Sequence, residues 1–549
     1  MRRLNYLILP MLLCFAVYGM AGKPVDQEKS EYKPLDCQKF RQQQRQILSE
    51  LKQPGIPDSE DCENPIDAFL EIRYQERKVQ PEEKCDDATF LRRAYLDAIG
   101  LLPAEDELQG FLQDTSSDKR EKLIDYLLNN RQPYAEHWMT FWNDLLRNDE
   151  QTNIDGLRQP ITRWLYDSLL SNKPYDQLVM EILNPDPNGP TGFLNGVQWR
   201  GRINASQRPV IQAAQSISQV MLATPMKCAS CHDHFTKEWK LQDTYGLAAA
   251  FSEEGKLEMY RCDKPLGEFA EAGFPFEGLG EISRDADVYT RREQAALMVV
   301  SPKNPRFAKT MVNRLWHKLI GVGLFEPVDD LDYGSNYPEL LDWLAYDFMA
   351  HDYDLKHTLR LIMTSDLYSR KAQQSKSLVD YDPDYAAPKI RRLQSEQFLD
   401  GIYRVTEYHP NIQTMNVDVD NTNLRAWRDK KPTLLAMALG RPTREQVTSE
   451  RVDEATVLQM LEMVNGNTFA ELLKNAAQYI TSEDSSLPGH AEALVAKLVR
   501  RAYSREITAD EKKFLLEMLA PNDKGHFATE HLEDVLWVIF MSPEFQFIH

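Results

Sequence analysis

Tyr134–Arg147 reads YAEHWMTFWNDLLR, and this stretch decides the fold class. Trp138, Phe141, Trp142, Leu145 and Leu146 recur at three- and four-residue intervals. That spacing places apolar side chains on one face of an α-helix. The same rhythm runs upstream through Ile66, Phe69, Leu70 and Ile72, then Phe90, Leu91, Tyr95 and Leu96, then Leu123, Ile124, Leu127 and Leu128. Gly100 and Pro103 stop the second of these stretches. Downstream, three prolines and a glycine between Asn184 and Pro190 break the pattern, and helix resumes over Gln212–Leu222. Phe307, Met311, Leu315 and Leu319 step by four, and Tyr337–Met349 and Leu355–Met363 follow. The tail predicts helices over Thr456–Ile480, His490–Ala502, Ala509–Leu519 and Glu530–Phe540. Alternating strand patterns are scarce. The expected fold is mostly α, with two helical domains joined by long irregular loops.

The punctuation sets the expected domain limits. Residues 22–64 are polar and carry Pro34, Pro54 and Pro57, which reads as an N-terminal arm. Residues 65–254 form the first helical domain, and 255–290, rich in Gly, Pro and Phe, an irregular linker. Residues 291–549 form the second helical domain. Arg2 and Arg3, the apolar run Leu7–Val17 and the small residues Gly19 and Ala21 spell a secretory signal peptide over residues 1–21. The mature chain is therefore expected in the periplasm or at the cell surface. No later stretch is long and apolar enough to span a bilayer.

The chain of 549 residues is 42% hydrophobic and 27% charged, a soluble globular composition, and its formal net charge is −20. Such acidity repels nucleic acid, which is not expected as a partner. Six cysteines follow the signal peptide: Cys37, Cys62, Cys85, Cys228, Cys231 and Cys262. An oxidising compartment allows pairing. If the central pair is used elsewhere, the remaining four admit three connectivities.

Lys227–Trp239, KCASCHDHFTKEW, carries the chemistry. Cys228, Cys231 and His232 stand at i, i+3 and i+4, the CxxCH pattern of covalent haem c attachment. In the haem reading the two thiols are expected to form thioethers and His232 to be the proximal iron ligand, with the sixth ligand left open among Met226, His234, Met259, Cys262 or a remote group. Three alternatives stay open: a Cys228–Cys231 disulfide, a zinc site completed from His232, His234 and Cys262, and an inert cysteine pair. Elsewhere, Asp329, Asp330 and Asp332 are a candidate Ca²⁺ cluster or a helix cap. Asn313 and His317 share a helix face with Arg314 beside them; Asp347 and His351 are a candidate general-base pair. Arg441, Arg444, Glu450 and Arg451 are candidates for an anionic sugar or carboxylate.

The segments FLRRAYLDAIGLLPAEDEL, YAEHWMTFWNDLLR, WLYDSLLSNKPYDQLV and CASCHDHFTKEWKLQDTYGLAAAF resemble the first of two paired domains of unknown function in planctomycete-type cytochrome-c-associated proteins. The second domain is similar through NPRFAKTMVNRLWHKLIGVGLFEPVDDLD, PELLDWLAYDFMAHDYDLKHTLRLIMTSDLYSR, RRLQSEQFLDGI, ALGRPTRE and MSPEFQFIH. The resemblance implies an exported, mostly helical protein with a haem-type motif in its first domain, and it names no activity. This chain departs from the pattern in three places. Residues 22–64 hold no cytochrome c domain, Val447–Arg451 stands where relatives often carry a cysteine, and Tyr337 where histidine is common. The first functional expectation is an exported c-type haem protein that passes electrons to a partner protein or oxidises an extracellular, carbohydrate-type substrate. The alternatives are a haem-free, metal-assisted hydrolase or lyase using His232, Asp233 and His234, and a non-catalytic binding or assembly module, whose mark is a large exposed apolar patch.

Overall fold

The computed structural model describes residues 32–58, 62–150, 160–197, 203–374, 383–415, 417, 424–452, 455–483, 490–522 and 526–549. The signal-peptide reading falls on residues 1–21, outside the described residues. Helices dominate, and the sheets among the described residues are two antiparallel pairs of strands. The elements that position the site are, in chain order, α1 (Cys37–Ser49), α2 (Asp87–Ala98), α3 (Arg131–Leu145), α4 (Pro209–Leu222), α5 (Leu241–Ala250), β1 (Lys256–Arg261), β2 (Lys264–Glu271), α6 (Val288–Val300), α7 (Pro305–Ile320), α8 (Pro338–Ala350), α9 (Leu355–Met363), β3 (Arg391–Arg392), α10 (Ser395–Thr406), α11 (Val457–Asn465), α12 (Asn467–Glu483) and β4 (Phe547–Ile548). No described helix is long and apolar enough to cross a membrane.

The helix that decides the fold is buried more completely than its sequence suggests. In α3 the residues from Tyr134 to Leu145 are all buried, including Glu136, His137, Asn143 and Asp144. Trp138 and Trp142 are 1% exposed, and each contributes on the order of a few kcal/mol of hydrophobic burial. The reading of one apolar face therefore captures half of the helix. On the polar half, Glu136 and Asp144 are buried against charged partners from the second half of the chain.

Those partners form a buried ionic network. Arg444 Nε donates to Asp144 Oδ1 at 2.8 Å, and Arg451 Nε to Asp144 Oδ2 at 2.7 Å. Arg451 then grips Glu396 of α10 through both terminal nitrogens, at 2.5 and 3.1 Å. A second knot joins Arg425 to Asp400 at 2.6 Å and to Glu136 of α3 at 3.3 Å. Burial alone would push the Glu396 carboxyl up, but the guanidiniums of Arg451, Arg441 and Arg444 hold it well below the usual carboxylate range. Paired and hydrogen-bonded in this way, charges can remain inside a core.

The apolar cores cross the expected domain boundary as well. One core runs from Phe40 to Trp427 and takes side chains from both halves of the sequence. The other is built from Leu393 to Ile548, yet Leu96 and Leu102 of the first half lie within it. The C-terminus is tied back too. β4 pairs with β3, Arg92 donates to the carbonyls of Phe545 and Phe547, and Arg93 donates to that of His549. The RRL and MSPEFQFIH segments thus meet as one strand pair.

Two local expectations change. Residues 255–290 were expected to be irregular, but β1 and β2 form a hairpin there, with a register shift between Glu258 and Tyr260, and α6 begins within the stretch. The hairpin escapes a period-two reading because only Met259 and Ala270 of its two strands are buried. The single helix expected over Thr456–Ile480 is two, α11 and α12. Gly466 separates them, where an added Cβ would lie 2.2 Å from the Glu462 carbonyl oxygen. Within the expected N-terminal arm, α1 is helical and anchored, with Arg41 forking onto the buried Asp176 at 2.9 Å through both terminal nitrogens.

If the ionic network locks the two halves together, Arg451→Ala leaves Asp144 and Glu396 short of a buried partner. The expected loss is about 3–5 kcal/mol in denaturant unfolding. Arg163→Ala, at an exposed i, i+4 pair with Asp167, is expected to cost at most about 0.5 kcal/mol. Equal costs for the two variants would show that the network is not a lock.

Candidate functional site

The CxxCH segment follows α4 through a sharp exit. Ala223 takes φ +43°, Pro225 ends any continuation, and Met226 is fully buried. The chain then makes a single 3₁₀ turn over Cys228–Ser230, not the longer helix that i, i+3, i+4 spacing allows. Cys231 N–H and His232 N–H both donate to the Cys228 carbonyl, at 3.1 and 3.3 Å. This turn is fixed from below. Gln215 of α4 donates to Ser230 Oγ at 2.7 Å, and Ser230 Oγ donates to the Lys227 carbonyl at 2.6 Å.

The turn brings the three predicted residues to the surface together. Cys228 is exposed, Cys231 and His232 are half-buried, and both thiols are free. His232 Nδ1 lies 2.8 Å from the Asp233 carbonyl oxygen, as an N–H donor would, leaving Nε2 as the nitrogen with a lone pair to offer. Phe235, 84% exposed, lies against the imidazole with ring centroids 4.3 Å apart. Two free thiols on one turn, an oriented imidazole and an exposed aromatic face fit a covalently held haem. All six described cysteines are free thiols.

The surrounding loop shows which neighbours are already engaged. Asp233 Oδ1 accepts from Leu241 N–H at 2.8 Å, and His234 Nδ1 accepts from the N–H groups of Thr236 and Lys237 at 3.2 Å. Both side chains shape the turn into α5. Cys262, at the tip of the β1–β2 hairpin with φ +57°, donates its N–H to the Cys231 carbonyl at 3.1 Å. Met259 is buried on β1. Tyr245 lies in the core and accepts from Tyr260 N–H, while Trp239 meets Phe276 edge-on.

The three aspartates face cations of the protein. Asp329 accepts from Gln219 and Arg314, both at 2.6 Å. Asp330 pairs with Lys237, and Asp332 accepts from Trp239 Nε1 at 2.7 Å and pairs with Arg306. They bind the CxxCH loop to α4 and α7, a role that a loop of acidic residues does not announce. Among the described residues, groups with three metal-ligand atoms close together are Asp347, His351 and His357, and His317, Glu326 and Glu450. The Asp347–His351 pair thus gains His357, whose Nε2 lies 2.8 Å from Asp347 Oδ2. Asn313 closes the 323–325 turn through Phe325 and Leu324, and His317 sits between Glu326 at 2.9 Å and Glu450 at 3.2 Å. Arg441, Arg444 and Arg451 are absorbed by Glu396, Asp144 and backbone carbonyls.

The family PSCyt2, described as a protein of unknown function (DUF1549), matches residues 65–255. The family PSD1, described as a protein of unknown function (DUF1553), matches residues 291–519. No curated protein and no solved structure matches the chain.

Because Lys237, Arg306 and Arg314 already hold Asp330, Asp332 and Asp329, about 5 mM calcium is expected to move the thermal midpoint by less than about 1 °C. A rise of several degrees that disappears in Asp330→Asn would show that calcium displaces these side chains.

Proposed function

We propose that this chain, which belongs to the family pairing a PSCyt2 domain with a PSD1 domain, is an exported c-type haem protein with a redox role. The observation that carries this reading is the Cys228–His232 turn. It presents two free thiols and an imidazole whose Nδ1 is already engaged by the Asp233 carbonyl. Cys228 and Cys231 are the thioether donors and His232 the proximal ligand. Bound there, haem iron supplies one-electron chemistry at a potential tuned by its surroundings. The protein's part is positional. Ser230 and Gln215 fix the turn, the Asp233 carbonyl sets the His232 tautomer, and Phe235 covers one side of the imidazole. The basic, apolar and small-residue pattern over residues 1–21 supports export to the compartment where such haem is attached. The partner is a redox protein or an oxidisable carbohydrate-type substrate.

One observation favours the binding-module reading alongside it. Helix α11 leaves Val457, Leu458, Met460, Leu461 and Val464 each more than half exposed, an apolar surface suited to a protein partner. A redox protein that docks a partner there satisfies both readings.

The test is expression of the full chain in the periplasm of a host that attaches haem c. A Soret band and a haem-shifted mass that survive denaturation are expected, and Cys228→Ala/Cys231→Ala is expected to lose both. A colourless product of unshifted mass overturns the reading.

A further inference from the structure

A cavity of ≈ 90 Å³ lies where α3 and α7 meet the 447–451 loop. Its wall includes His137, Lys318, Arg314 and Ser449, together with Asp144 and Arg451 of the ionic network. Asp144 and Arg451 satisfy each other. The remaining four each present something the protein leaves unused.

His137 is 5% exposed, and its Nε2 has no hydrogen-bond partner among the described residues. Its other nitrogen is turned to the Asp97 backbone, and the ring packs where Gly100, at φ +69°, leaves no room for a Cβ. Burial first, and the nearby Lys318 and Arg425 charges second, push His137 well below its ordinary range, so the ring is neutral. With Nδ1 protonated toward a carbonyl, Nε2 carries a lone pair and calls for an O–H or N–H donor. Ser449 Oγ and Arg314 Nε are likewise buried without a partner among the described residues. Lys318 makes one long bond, to Gln394 Oε1 at 3.4 Å, and lies over the Trp138 ring. Burial pushes its ammonium down to about 8. Folded proteins rarely leave several buried polar atoms facing one space unless something occupies it.

The chemistry of the wall selects the occupant. Arg314, Arg391 and Arg451 are paired with Asp329, Asp97 and Asp144, whereas the buried Lys318 ammonium has no carboxylate in ion-pair contact among the described residues. That favours an anion. The neutral His137 Nε2 favours a hydroxyl donor beside that anion. The volume admits several waters, or a ligand of about five or six non-hydrogen atoms.

We propose that this cavity binds a small 2-hydroxy-carboxylate, its carboxylate on Lys318 and Ser449 and its hydroxyl donating to His137 Nε2. The site joins one residue of the PSCyt2 region to two of the PSD1 region, which explains why the two are carried together. It stands independently of haem.

The test is calorimetric titration of the full mature chain with glycolate, acetate and glycolamide. Acetate lacks the hydroxyl and glycolamide the charge. Glycolate is expected to bind about tenfold more tightly than either. Lys318→Met is expected to remove its advantage over glycolamide, and Ser449→Ala to weaken it severalfold. His137 lies in the core, so its part is read in the folded wild type: glycolate is expected to shift the ¹⁵N resonance of Nε2, and acetate to leave it. Equal binding of the three probes, undiminished glycolate binding in Lys318→Met, or no binding with an unmoved resonance overturns the proposal, the cavity then holding water alone.

Discussion

The grip of Arg451 on Asp144 and Glu396 is the constraint on which this fold turns. Two carboxylates from distant parts of the chain are taken out of water, and burying them unpaired would cost several kcal/mol each. A buried ion pair adds little net stability over a well-packed apolar pair. Its value is selectivity, because a misdocked arrangement leaves charges stranded. α3 can therefore be buried on every side only in the one arrangement that returns Arg444, Arg451 and Arg425 to it. The two sequence regions then share both apolar cores.

The same logic of paired charge holds the surface motif still. A 3₁₀ turn of three residues has no stability of its own. Here it is held from α4 through Gln215 and from the 328–332 loop through Lys237 and Trp239. Lys227 reaches across to Gln446 at 3.0 Å. Each tie is modest, but together they fix the turn that carries Cys228, Cys231 and His232.

Much of the helical framework was legible from spacing alone, since apolar residues three and four apart report their own burial. α7, α8 and α9 appear within one or two residues of where their periodicity puts them, while α3 begins at Arg131, upstream of its first periodic residue Trp138. The missing parts are those that depend on partners far along the chain. Glu136 and Asp144 look like the wet side of an amphipathic helix until Arg425 and Arg451 are brought to them. The hairpin hides because most of its side chains face outward, and the Gly466 break because one glycine in an apolar run is a weak signal. The grouping of Cys228, Cys231 and His232 was legible, five adjacent residues needing no fold to bring them together. The His137–Lys318 cavity was not, because it exists only when two helices and a loop separated by more than a hundred residues converge.

The aspartates show how function and structure divide a shared vocabulary. Three carboxylates in five residues carry the same sequence signature whether they hold a metal ion or side-chain cations. What separates the two is the count of positive groups within reach, and here Lys237, Arg306 and Arg314 each pair with one of the three. Arg314 also reaches the wall of the cavity, and Val328, next to Asp329, lines it. The loop that steadies the CxxCH turn is therefore the loop that shapes the cavity. Asp329 and Arg314 meet directly, at 2.6 Å. The Cys228–His232 turn and the polar cavity thus lean on the same 328–332 loop, which draws on contacts from both sequence regions.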